Sequence, residues 1–391
     1  MIPIICLLLL IGGLGVVALT NFGEHNKGIV AVAVAMAAIL LTGLFLEWQE
    51  VAHKITHSWV HIMEIACLVT FFTMLGYIFK TSKMPNLAPK WLPDGEAAPF
   101  VLLAIVFFLS AGLDNIACAL LGVTTAKVVF KKLHLAYVVA IVTAANAGGS
   151  WSPFGDTTTM MIVGKGYPVS SVLGSIWGAL TVLVLVGWFA TKKQNRLCKI
   201  TADPETNFTM KWDRVWAVGG ILLASLSSLI LLGNPLWGLI PASLLVWIVL
   251  TKKGEWKKGD HENALGELLG GLKSSLFLCS LIMAAQFVEL SFLPNADALG
   301  GILYGLLSAG VDNIPVTEVG LLKGGIHAAL LAFAAGTFGS VNNFASSAGV
   351  AVMGQYEPAQ SAKRWFTEGG GWFVLIASCI GYAVNALILS I

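Results

Sequence analysis

"LSAGLDNI" at residues 109–116 and "LSAGVDNI" at residues 307–314 differ at one position. The chain around them is 57% hydrophobic and 11% charged. A carboxylate-bearing octapeptide written twice in so apolar a chain decides how the rest is read.

Ordinary soluble domains carry about 25% charged residues, and the mean hydropathy here is +0.82. The apolar residues fall in blocks of about twenty, the length that crosses roughly 30 Å of hydrocarbon. The fold class is therefore an all-α polytopic membrane protein. A β-barrel would show alternating segments of about ten residues, and these are missing. The opening "MIPIICLLLLIGGLGVVALT" lacks a basic n-region and a cleavage site, so it reads as a retained helix. The six cysteines are scattered singly, which indicates neither a disulfide framework nor a metal knuckle. No P-loop, dinucleotide fingerprint, nucleophile elbow or HExxH motif occurs. The chain reads as a secondary transporter rather than an enzyme, driven by ion gradients. It needs no cofactor, and its partners are the bilayer and small ions, not nucleic acid.

Spanning helices are expected near 1–21, 28–46, 59–79, 172–191, 214–232, 235–251, 272–293 and 371–390. Four apolar segments are interrupted. Residues 99–127 and 299–322 break at the octapeptides. Residues 135–163 and 325–353 break at "GGSWSPFG" and "GTFGSVNNF". If 99–127 and 299–322 are re-entrant hairpins, 20 of the 23 Lys and Arg fall on one side. Only Lys54, Lys165 and Lys323 fall on the other. The basic side is expected to be cytoplasmic, with both termini outside. The division is then an N-terminal helix (1–27), a first unit (28–191), a linker and connecting helix (192–234), and an inverted second unit (235–391). Inverted units with discontinuous helices place a site at the bilayer midplane. On this reading the octapeptide is written twice because each unit supplies half of one site.

A carboxylate at mid-membrane costs about 2.5–3.5 kcal/mol on insertion scales, so Asp114 and Asp312 are candidate ion ligands, with Asn115 and Asn313 beside them. The plain alternative is an Asp that only bonds its own loop. In "NAGGSWSPFGDTTTMM" (146–161) the glycines and Pro153 unwind the backbone. Asn146, Ser150, Ser152 and Thr157 add neutral oxygens, and Asp156 adds a third acid. Hard cations want several such oxygens. Asp156 also has the sequence of a helix N-cap, and the two roles are compatible. The second break aligns Gly339-Ser340 with Gly149-Ser150. It offers Thr337 and Ser340, and Ser346 stands where Asp156 does. Asn342 and Asn343 are open as to whether they alter ion choice.

Glu50, His53, His57, His61 and Glu64 form one stripe if 50–64 is continuous helix. Histidine titrates near neutrality, which makes His53, His57, His61 and Glu64 a candidate pH sensor. Zinc binding and a plain polar face are the alternatives. Glu64 alone reads as a side chain reaching toward the outer surface.

Three buried acids without a buried Lys or Arg argue for a cation. Sodium bound at Asp114, Asp156 and Asp312 would compete with protons for the same oxygens, and that competition yields antiport. "NAGGSWSPFGDTTTMM" resembles the signature of NhaD-type sodium/proton antiporters of the ion transporter superfamily. The paired "LSAG(L/V)DNI" stretches and "SSAGVAVMG" (346–354) resemble its hairpins and second broken helix. The resemblance implies exchange of sodium for protons at Asp114, Asn115, Asp156, Asp312 and Asn313; whether lithium is also carried is left open by the sequence. It also implies a homodimer with elevator-like movement in a bacterial inner membrane. Phe338 and "SVNNFASS" depart from the small, apolar pattern expected in the second unit. The rival is an anion or oxyanion permease of the same superfamily, for citrate, dicarboxylate or arsenite. Its Ser-Asn-Thr tips are replaced here by Leu-Asp-Asn and Val-Asp-Asn.

Overall fold

The computed structural model describes residues 48–390 except 88–91, 94, 154, 199–208, 253–257, 286–293, 296, 324 and 326, with isolated positions between 33 and 40. The expected helices at 1–21 and 28–46 lie outside the described residues or nearly so. Among the described residues all regular structure is helical. Four helices among the described residues are long and apolar enough to cross a membrane, at Ile62–Thr81, Val169–Leu197, Trp212–Leu232 and Gly371–Leu389. Shorter apolar helices lie between them. The molecule is a polytopic membrane protein.

The first half runs α1 (Trp48–Thr81), α2 (Ala98–Ser110), α3 (Asn115–Val129), α4 (Leu135–Gly149), α5 (Thr157–Gly164), α6 (Val169–Leu173) and α7 (Ile176–Leu197). α8 (Trp212–Leu232) and α9 (Leu236–Lys252) follow. The second half runs α10 (Lys258–Ala285), α11 (Gly301–Ser308), α12 (Asn313–Lys323), α13 (Ala328–Phe338), α14 (Ser347–Gln355), α15 (Ala362–Thr367) and α16 (Gly371–Leu389).

Two boundaries differ from the sequence expectation. α1 is already helical at Trp48, well before 59, and α10 is already helical at Lys258, well before 272. Hydropathy marks only the part of a helix that meets hydrocarbon. Both helices continue past it through good helix formers such as Ala, Leu, Glu and Lys. α1 and α10 also pack along each other.

The centre is the most tightly closed part. Every residue of α4 and of α13 is buried, and the two helices touch. Helices apolar all round belong inside a bundle, not against solvent. α2 packs on α4, as α11 packs on α13. The half-helices then cross over: α5 packs on α12, and α14 packs on α3.

Candidate functional site

Each octapeptide makes the same turn. After α2 the Leu113 N–H reaches back to the Leu109 carbonyl at 2.9 Å, and after α11 Val311 does so to Leu307 at 2.8 Å. The Asp that follows restarts the helix. Asp114 Oδ1 accepts from the Ile116 N–H at 2.8 Å, capping α3. Asp312 Oδ1 accepts from the Ile314 N–H at 3.1 Å, at the start of α12. Aspartate is favoured there because its oxygen satisfies an N–H that the first helical turn leaves unpaired.

The breaks also match. α4 ends at Gly149, and the chain turns until Asp156 restarts it as α5. Asp156 Oδ1 accepts from the Thr158 N–H at 3.2 Å and from the Thr157 hydroxyl at 3.3 Å. In the second half Ser346 caps α14, its Oγ accepting from the Gly349 N–H at 3.2 Å. Ser346 therefore occupies Asp156's structural position, and the two halves differ there by one carboxylate.

Further bonds pair position by position. Ser110 Oγ donates to the Ala145 carbonyl at 2.7 Å, and Ser308 Oγ to the Ala335 carbonyl at 2.6 Å. Ser152 Oγ donates to the Ala111 carbonyl, and Asn342 Nδ2 to the Ala309 carbonyl at 2.6 Å. The Ser150 carbonyl accepts from Ser175 Oγ at 2.8 Å, and the Ser340 carbonyl from Trp365 Nε1 at 3.1 Å. Each break is thus tied to a hairpin turn and closed off from behind. The asparagines left open by the sequence have backbone roles: Asn342 holds a turn, and Asn343 Nδ2 donates to the Ala359 carbonyl at 2.7 Å.

Two contacts bring the acids of the first half together. The Asn115 N–H donates to the Gly155 carbonyl at 3.1 Å, so the residue after Asp114 meets the residue before Asp156. The approach needs glycine. A Cβ on Gly155 would sit 2.2 Å from the Ser110 carbonyl oxygen. Asn115 Nδ2 donates to Asn146 Oδ1 at 3.0 Å, and Asn146 Nδ2 donates across to Ser340 Oγ and Ser346 Oγ, both at 2.9 Å. Thr337 Oγ1 lies 3.4 Å from Ser150 Oγ.

Asp156 is 1% exposed. While Oδ1 caps α5, Oδ2 has no hydrogen-bond partner. It faces Gly336 of the second half, where a Cβ would come within 3.0 Å of it. So the cap uses one oxygen of the carboxylate and leaves the other unpaired. Asp312 and Asn313 are buried at the second turn, and Asp114 is half-buried. Among the described residues no group of three His, Cys, Asp or Glu side chains is gathered in a way that could hold a metal ion.

The histidine stripe stands apart. Residues 50–64 are continuous helix within α1. The side chains of Glu50, His57 and His61 lie outside the described ones, and His53 is exposed. Glu64 is half-buried, and its Oε1 accepts from Asn234 Nδ2 at 2.6 Å in the turn between α8 and α9.

Sequence reasoning missed Ser175, Gly336 and Trp365 as parts of this centre. Ser175 and Trp365 stand at matched places behind the two breaks, a signal that aligning the breaks further would have exposed.

Four half-helix N-termini, those of α3, α5, α12 and α14, open within this bundle. An N-terminus carries roughly half a positive charge and favours anions. Three of them hold a built-in carboxylate. The centre therefore supplies its own anions, together with amide and hydroxyl oxygens, the donor set of a hard cation.

No family model matches the chain. It is 24% identical over 317 residues to Sodium/proton antiporter 1 of Arabidopsis thaliana, covering 71% of this chain and 53% of that one. It is 28% identical over 305 residues to the Na(+)/H(+) antiporter NhaD of Alkalimonas amylolytica, covering 64% and 61%. The chain resembles NhaD-type sodium/proton antiporters. A second Arabidopsis thaliana protein, Sodium/proton antiporter 2, is 26% identical over 305 residues, covering 65% and 70%. The NhaD-like chain spans about half the length of the first relative and about three-fifths of NhaD itself.

Proposed function

We propose that this chain exchanges sodium for protons across a membrane, with lithium as an accepted alternative to sodium. The observation that carries the reading is Asp156 Oδ2, a fully buried carboxylate oxygen with no hydrogen-bond partner at the seam between the two halves. Such an oxygen takes either a proton or a cation, not both. The names of its relatives agree with this chemistry. An anion or oxyanion permease has no support in those relatives, and it would set its substrate against N-termini already filled by carboxylates.

In this reading Asp114, Asn115, Asn146, Ser150, Ser152, Asp156 and Thr157 supply the first half of the ion path. Asp312, Asn313, Thr337 and Ser340 supply the second, and Asn146 joins them. Units 28–191 and 235–391 are inverted copies, each with a re-entrant hairpin and a broken helix, preceded by 1–27 and linked by 192–234. The matched bonds at the two turns and breaks support the duplication. The basic loops lie in the cytoplasm of a bacterial cell, with both termini outside, and two copies form a dimer. The stripe of α1 is placed on the outer side, as a polar helix face in which His53, His57, His61 and Glu64 are the candidate pH-sensing groups.

The test is dye-reported proton movement in everted vesicles of an antiporter-deficient host. Sodium or lithium should release protons, and Asp156→Asn should abolish the response. A sodium response that survives Asn at Asp114, Asp156 and Asp312 together would refute the reading.

A further inference from the structure

We propose that a cavity of about 590 Å³ at the basic end of α7 and α16 holds the phosphate of an anionic phospholipid, gripped by Lys193 and Arg364. This inference needs only that the protein is embedded in a membrane, not that it exchanges cations.

The cavity has the right depth. α7 ends the candidate span Val169–Leu197, and α16 forms the candidate span Gly371–Leu389. Leu197 and Trp372, at these two ends, both line the cavity. It therefore sits where hydrocarbon gives way to headgroups. The aromatic residues agree: Trp188 is 53% and Trp372 42% exposed, as in the belts that mark this level. Lys192 Nζ lies 3.9 Å from the centre of the Trp188 ring.

The cavity has the right charge. Lys193 and Arg364 stand in its wall, with Lys192, Arg196 and Lys363 on the same helix ends. Against them stand Glu357 and Glu368. Glu368 also lines the cavity and accepts from Arg364 Nε at 3.1 Å and from Nη2 at 3.0 Å, which leaves the Nη1 of Arg364 and the Lys193 ammonium for a phosphate. Burial, and then the charge on Lys193, hold the His134 imidazole in the same wall below its ordinary pKa of 6.5. Basic pockets between spanning helices on the cytoplasmic side attract anionic headgroups, and a guanidinium grips phosphate with directed bonds.

The cavity is also built, not loose. The His134 N–H donates to Gln194 Oε1 at 2.9 Å, and Gln194 Nε2 donates to the Lys132 carbonyl at 2.9 Å. Tyr356 Oη donates to the Leu133 carbonyl at 2.7 Å. The walls therefore come from both halves of the chain. A lipid bridging Lys193 on α7 and Arg364 on α15 would clamp the end of α7 to the short helix that leads into α16.

Native mass spectrometry of the full chain tests this. Delipidated protein in detergent is offered equal amounts of phosphatidylglycerol and phosphatidylcholine. We expect at least fivefold preferential retention of phosphatidylglycerol, lost in Lys193→Gln and in Lys193→Gln/Arg364→Gln, and kept in the control Lys165→Gln. Because Arg364→Gln also removes an ion pair, the single Lys193 variant decides if the double variant unfolds. Equal retention of the two lipids overturns the proposal. So does undiminished phosphatidylglycerol retention by Lys193→Gln. Displacement of the lipid by millimolar inorganic phosphate also overturns it, since the site would then be one for free phosphate.

Discussion

Asn146 and Ser346, two hundred residues apart in sequence, are joined by a hydrogen bond of 2.9 Å through the Asn146 Nδ2. The same amide reaches Ser340, and its carbonyl oxygen accepts from Asn115. One buried side chain thus ties a hairpin and a break of the first half to a break of the second. Removing a partner from a buried polar group costs about 1–3 kcal/mol. Asn146→Ala should lower stability by about that amount, read from denaturation in detergent. In a double-mutant cycle Asn146→Ala with Ser346→Ala should show a coupling of at least 0.5 kcal/mol, in the usual range of about 0.5–3 for contacting residues. Strict additivity would show that the bond carries no weight.

Asp156 caps α5 with one oxygen and leaves the other unpaired, so the cap and the proposed ion-binding role separate by mutation. Asparagine is as good an N-cap as aspartate. Asp156→Asn should keep thermal stability within about 1 kcal/mol while abolishing sodium-dependent proton movement. Asp156→Ala should lose the cap as well, at a further cost of about 1 kcal/mol. Transport that persists in Asp156→Asn would remove this residue from the ion path.

Two glycines should respond with opposite signs. Gly155 approaches the Ser110 carbonyl so closely that a Cβ would sit 2.2 Å away, and 2.6 Å from Gly149 Cα. Neither neighbour is a flexible side-chain end, so Gly155→Ala should destabilise by about 1–3 kcal/mol, the cost of overpacking. Gly219, inside α8, has nothing within 4 Å of its built Cβ. Gly219→Ala should stabilise by about 0.5–1 kcal/mol through helix propensity alone. Comparing the two melting curves checks both.

His134 caps α4 through Nδ1, which accepts from the Ala136 N–H at 3.0 Å. A protonated ring cannot accept there, and burial followed by Lys193 already lowers its pKa from 6.5. The folded state therefore binds this proton less readily than the unfolded state. Stability from the cap is present above pH 6.5 and is lost as pH falls through 6.5 toward the lower folded value. Melting temperature should drop between pH 7.5 and 5.5, and His134→Asn, which caps without titrating, should flatten that part of the drop. An identical pH profile in the variant would rule this residue out as the cause.

The membrane class and the two turns with their two breaks were fixed by local chemistry. Long apolar runs, Gly and Pro interruptions, and Asp placed before Asn-Ile or Thr-Thr act within a few residues, so they can be read without a fold. Even the equivalence of Ser346 with Asp156 was visible from the aligned breaks. Helix extents were less legible: residues 48–58 and 258–271 are helical although they fall outside the apolar runs, because hydropathy reports contact with lipid and not helical continuity. The sequence left the role of Asn342 open, and only the fold shows its Nδ2 donating to the Ala309 carbonyl. Nothing local to Trp365 predicts its bond to the Ser340 carbonyl, and nothing local to Gly336 predicts that it faces Asp156 Oδ2. Those partners are chosen by how the two halves pack, which depends on side chains far apart in sequence. The sequence determined which groups must be capped or satisfied within the membrane. Only the tertiary structure decided which oxygen of Asp156 was left unpaired against the second half.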